Sequence, residues 1–98
     1  MSALLFEWDP AKAAANLRKH GVGFEEARTV FEDAEGLIIP DPDHSDGEER
    51  LVLVGLSATL RALVVIHCER EDGDVIRIIS ARKADRGERA SYAAQRSR

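Results

Sequence analysis

The chain predicts a single α+β domain, with two N-terminal helices and one C-terminal helix packed on one face of a twisted antiparallel sheet. Three observations lead there. Residues 10–33 repeat apolar positions at helical spacing, residues 51–82 hold three extended apolar runs joined by short turns, and a capping signature at Asp85 opens a last helix. With 98 residues, 44% hydrophobic and 33% charged, the chain has room for one modest core, so one domain covers residues 1–98.

"LLFEWD" reads as a short strand because Leu5 and Glu7 alternate with Phe6 and Trp8. In "DPAKAAANLRKHG" Asp9 is the N-cap, Pro10 takes the first helical position, where its missing N–H costs nothing, and Gly21 stops the helix. "GFEEARTVFED" is a second, amphipathic helix with Phe24, Ala27, Val30 and Phe31 on one side, Gly23 as N-cap and Glu26 three residues on. "GLIIPD" is extended, and the acidic, turn-rich "DPDHSDGEE" follows it. "RLVLVGLSA" and "ALVVIHCERE" are strands joined by a turn near Thr59 to Arg61, and the Asp-Gly pair in "EDGD" turns a tight hairpin into "VIRIISAR". Asp85 then caps a helix with Glu88 three residues on and Ala90, Tyr92, Ala93 and Ala94 along it. The order is β-α-α-β-β-β-β-α.

No apolar run approaches the roughly 20 residues that cross a bilayer, and the start lacks a basic, then apolar, secretory signal. The expected location is cytoplasmic. The net charge of −4 conceals an asymmetry. Residues 1–50 carry five Lys/Arg against twelve Asp/Glu, whereas from Val75 onward seven Lys/Arg face only Asp85 and Glu88. A basic end on an acidic chain is what a local anion-binding surface requires, because attraction follows the local field.

Strand alternation complicates that surface. In "VIRIISAR" Arg77 and Arg82 fall on opposite faces of a regular strand, so one site can use both only through a bulge or break near Ser80. Arg77 has a purely structural alternative, an ion pair with Glu69 or Glu71 across the hairpin. His20, His44, His67 and Cys68 include zinc-ligand types, but no pair has a zinc-motif spacing, so no metal is expected. His20 and Lys19 also suit a helix C-terminus electrostatically, and His67 and Cys68 read as core residues. What remains is a set of cations suited to phosphate chemistry without a metal. RNA requires only that much, since its own 2′-OH attacks the adjacent phosphate while fixed guanidinium groups stabilise the developing charge. A non-catalytic nucleic-acid- or protein-binding module is the alternative.

The blocks "FEWDPAKAAANLRKHGVGFEEARTVFED", "HSDGEERLVLVG" and "IRIISARKADRGERASY" resemble the BrnT family of toxins, over about Phe6 to Tyr92. The resemblance implies a RelE-like fold and the toxin half of a type II toxin-antitoxin module, an endoribonuclease that inhibits translation and growth. It implies no cofactor. The implied partner is a BrnA-like antitoxin with a ribbon-helix-helix part, forming a heterotetramer in which operator DNA is bound only through the antitoxin. Arg61, Arg77, Arg82 and His20 become the catalytic candidates, and Lys19, Lys83 and Arg89 the RNA-binding ones. Two positions depart from the family pattern: Gly23, where a serine is expected, and Leu60, where a glycine more often precedes the arginine.

Overall fold

The computed structural model describes residues 4–41 and 49–96. The acidic stretch 42–48, with His44, lies outside them. Five strands and three helices follow in the order β1 (Leu5–Glu7), α1 (Pro10–His20), α2 (Phe24–Thr29), β2 (Leu37–Pro40), β3 (Leu51–Leu56), β4 (Ala62–Arg70), β5 (Val75–Lys83) and α3 (Arg86–Arg96). The strands form one sheet in the order β1-β5-β4-β3-β2.

Two expectations about the sheet are corrected. It is mixed, because β1 lies parallel to β5, with Leu5, Phe6 and Glu7 opposite Val75, Ile76 and Arg77. The chain reaches β5's outer edge from the far end of the fold, so a parallel pairing needs no tight turn. The helices also do not share one face. Phe24, Ala27 and Val30 of the α2 region bury Leu53, Leu63, Val65, Ile76, Ile78 and Ala81. On the other face Tyr92 of α3, with Ala84, covers Val52, Val54 and Val64. A strand buried on both faces loses its alternation of apolar and polar residues, which explains the unbroken "LVLV" and "ALVVI" runs.

Helix ends follow local chemistry. Asp9 accepts the Ala11 N–H, and Gly21 takes φ +70 with its own N–H donated to the Leu17 carbonyl. At α3 the Asp85 N–H donates to Glu88 Oε1 while the Glu88 N–H donates to Asp85 Oδ1, both at 2.8 Å, a reciprocal capping box. Gly23 precedes α2 without a side-chain cap, and Glu26, instead of reaching back to it, turns to Arg61. Leu60 sits at φ +64 and is strongly exposed, so the turn before Arg61 has the left-handed conformation that ordinarily favours glycine. The β4–β5 connection is a four-residue loop, Glu71 to Asp74, with positive φ at Glu71, Asp72 and Gly73, in place of the two-residue hairpin expected from Asp-Gly.

β1 stops at Glu7, which leaves the far half of β5 without a strand neighbour on its outer edge. A side chain takes that place. The buried Asn16 amide donates to the carbonyls of Ala81 at 2.8 Å and Val22 at 2.9 Å, and its oxygen accepts the Ala81 N–H at 3.1 Å. Asn16 thus satisfies both backbone groups of Ala81 as a strand would, and pins α1 against the sheet edge.

Candidate active site

β5 pairs with β4 in two registers. Val75–Ile78 pair with residues 70 down to 67, and Ser80–Lys83 with residues 66 down to 63, which leaves Ile79 extra. This β-bulge shifts the alternation by one. Ile76, Ile78 and Ala81 therefore enter one core together, and Arg77, Ser80 and Arg82 all turn to the α3 face. The bulge falls where the two arginines require it.

The part of this face that α3 leaves open is a cleft of about 410 Å³. Val52 and Ile66 form its floor, and Arg50, Asp41, Ser80, Arg82, Glu88 and Ile39 line it. Arg82 is held from below: both terminal nitrogens donate to Glu88, each at 2.8 Å, in a planar two-point pair. Glu88 is itself fixed by the capping box, so the helix start orients the guanidinium. The Arg82 bond is the main influence holding the Glu88 carboxyl below its ordinary range, and the same bond raises Arg82. At neutral pH the pair is fully ionised, with the arginine aimed along a wall of the cleft.

The other candidates have separate surroundings. Arg77 shares the face of Arg82, but their partners Cys68 and Val64 lie four ladder steps apart, about 13 Å along the strand. Its ion pair is with Glu7 of β1 at 3.3 Å, where Arg70 also binds, not with Glu69 or Glu71, because the parallel pairing sets Glu7 directly beside it. Lys83, opposite Leu63, is exposed on the other face, and Arg89 donates to the Ala84 carbonyl at 2.7 Å. Lys19 and His20 line a neighbouring groove with Lys12, Asn16, Ile79 and Ser80. His67 is fully buried, edge-on to Phe31, with Nδ1 3.3 Å from the Val65 carbonyl and Nε2 without a protein partner. Burial pushes its pKa down, so it is a neutral, half-satisfied core residue. Among the described residues no three His, Cys, Asp or Glu side chains converge as a metal site would need.

Arg61 is engaged by the β3–β4 turn and α2. Its side chain donates to Glu26 and to the Gly21 carbonyl, and Ser57 and Thr59 donate to the same carboxylate. Chiefly through Arg61, Glu26 is lowered from 4.5 to about 2. A depressed folded-state pKa gives stability that is complete above about 4.5 and lost as pH falls from there through about 2. Urea unfolding of Glu26→Gln should show an unfolding free energy lower at pH 7 by about 1.5–3 kcal/mol, and a flatter loss of stability below pH 4.5.

Arg50, Ser80 and the anchoring role of Glu88 were not among the candidates. Arg50 shares the alternation of Val52 and Val54 at the start of β3, a signal obscured by the acidic residues before it.

A model of the family described as "Ribonuclease toxin, BrnT, of type II toxin-antitoxin system" matches residues 8–88. The chain belongs to the BrnT family. The matched span runs from Trp8 to Glu88, so it contains the whole Arg82–Glu88 arrangement. The crystal structure of the Brucella abortus ribonuclease toxin BrnT superposes with a TM-score of 0.61 at 23% identity, covering 86% of this chain and 100% of that one. This likeness is one of fold. No curated protein matches the chain in sequence. BrnT membership makes the chain a ribonuclease toxin of the type II toxin-antitoxin class, for which an antitoxin partner is implied. No described helix of this BrnT chain is long and apolar enough to cross a membrane.

Proposed function

We propose that the chain is a metal-independent endoribonuclease whose scissile phosphate binds in the cleft between Arg82 and Arg50. The observation that carries this is the Ile79 bulge, which turns Ser80 and Arg82 onto the same face as Arg50 beside an open hollow of about 410 Å³. The RNA 2′-oxygen bonds to phosphorus as the P–O5′ bond breaks. One proton leaves the 2′-OH and one reaches the 5′-oxygen, giving a 2′,3′-cyclic phosphate and a free 5′-OH. Guanidinium groups stabilise the extra charge on the phosphorane. His20, which lines the adjoining α1 groove together with Ser80, is the proton-transfer candidate of this reading. Arg77 contributes field to the same face, while Arg61 supports the turn from beneath.

In the cell the fold would act as a RelE-like toxin in the cytoplasm, cutting RNA and so stopping translation and growth. A BrnA-like ribbon-helix-helix antitoxin would neutralise it, and the heterotetramer would bind operator DNA through the antitoxin. Purified protein freed of any antitoxin should cut RNA in EDTA and leave cyclic phosphate ends detectable by mass spectrometry. RNA that is bound yet stays intact would make the chain a binding module instead. Activity restored only by added metal would remove the metal-free chemistry.

A further inference from the structure

The acidic half of the chain contains one basic element. Residues 1–50 carry twelve Asp/Glu, yet α1 holds Lys12, Arg18, Lys19 and His20 with no acidic residue. Arg18, Lys19 and His20 occupy the last turn, where cations complement the helix dipole. Lys12 does not. It stands in the first turn, two residues after Pro10, where the dipole disfavours a cation, so helix stability gives no reason for it.

Asn16 supplies the geometry. It pins α1 to the open edge of β5 at Ala81, and Lys12 and Lys19 stand four residues before and three after it, on the same side of the helix. Along the axis they are about 10 Å apart. No described carboxylate forms an ion pair with either lysine. Both line a groove of about 240 Å³ closed on its other side by the bulged Ile79 and by Ser80. Ser80 also lines the cleft of Arg50 and Arg82. The two hollows therefore meet at one residue, on the stretch of sheet edge that no strand covers.

We propose that single-stranded RNA crosses the open β5 edge at Ser80, with the scissile phosphate in the arginine cleft and flanking phosphates held by Lys12 and Lys19 in the α1 groove. The proposal rests on the ribonuclease reading, and it extends the binding surface to a helix on the opposite side of the edge. Lysines with no carboxylate partner among the described residues suit this role, since they bind backbone phosphate irrespective of base.

The test measures binding of a non-cleavable 2′-O-methyl decanucleotide across a salt series, alongside cleavage of the matching RNA. Each phosphate contact on a single strand contributes about 0.7 to the salt slope, so Lys12→Ala/Lys19→Ala should lower it by about 1.4. Arg18→Ala, exposed on the far side of α1, should leave the slope unchanged. Cleavage of the long RNA by the double variant should fall through a raised KM. An unchanged slope with active unmodified protein would overturn the proposal and leave the ribonuclease reading intact. A lowered slope with no cleavage by any form would do the reverse. Absence of any oligonucleotide binding by the unmodified protein would remove both.

Discussion

Arg82→Ala should lower RNA cleavage by about 100- to 1000-fold, the range for removing one preorganised donor from a developing oxyanion. The loss should appear in kcat, because Arg82 is aimed by Glu88 before substrate arrives, so its positive charge is already in place for the charge that develops on the phosphorane. Arg82→Lys keeps the charge without the planar fork and should recover only part of the rate. Stability should scarcely change. The Arg82 side chain is 41% exposed, so its screened ion pair contributes under about 1 kcal/mol, and Glu88 keeps its bond from the Asp85 N–H. Unfolding and single-turnover cleavage measured on the same preparation separate the two. Equal losses of folding and rate would make the arginine a structural element.

Asn16→Leu should have the largest effect on stability, about 3–5 kcal/mol. The substitution strands the Ala81 N–H and the Ala81 and Val22 carbonyls in a buried site, and each stranded group costs about 1–3 kcal/mol. For a domain of this size the thermal midpoint should fall by about 15 °C or more. Asn16→Asp should be no milder, because the oxygen that replaces the amide nitrogen would face two carbonyls. A midpoint within a few degrees of the unmodified protein would show that the β5 edge has another means of satisfying Ala81.

These two residues mark the limits of what the sequence discloses. Helix ends were legible where cap and partner lie within a few residues, as at Asp9, Gly21 and the Asp85–Glu88 box. Asn16 was not, since its partner is 65 residues away and an asparagine in mid-helix has no local signature. The same distance hid the parallel β1–β5 pair, and with it the Glu7 partner of Arg77. Glu26 was read as part of a local cap, whereas the stronger pull comes from Arg61, brought in by the β3–β4 turn. The requirement for a bulge near Ser80 could be stated in advance because alternation is a rule of parity. Which residues the bulge would gather, Arg50 above all, depended on the register of neighbouring strands.

The extra residue in β5 also has a meaning for descent. If the codon for Ile79 were lost in frame, Ile78 and Ser80 would become consecutive opposite His67 and Ile66, and every other partner in the ladder would stay as it is. Loss of Ser80 would instead draw Ile79 into the cleft and seat an apolar side chain where RNA is proposed to pass. Loss of Ile79 would thus leave the cleft's side chains on their face and remove one wall of the α1 groove, whereas loss of Ser80 would alter the cleft itself, so relatives aligned here should show a single-residue gap at Ile79 more often than at Ser80.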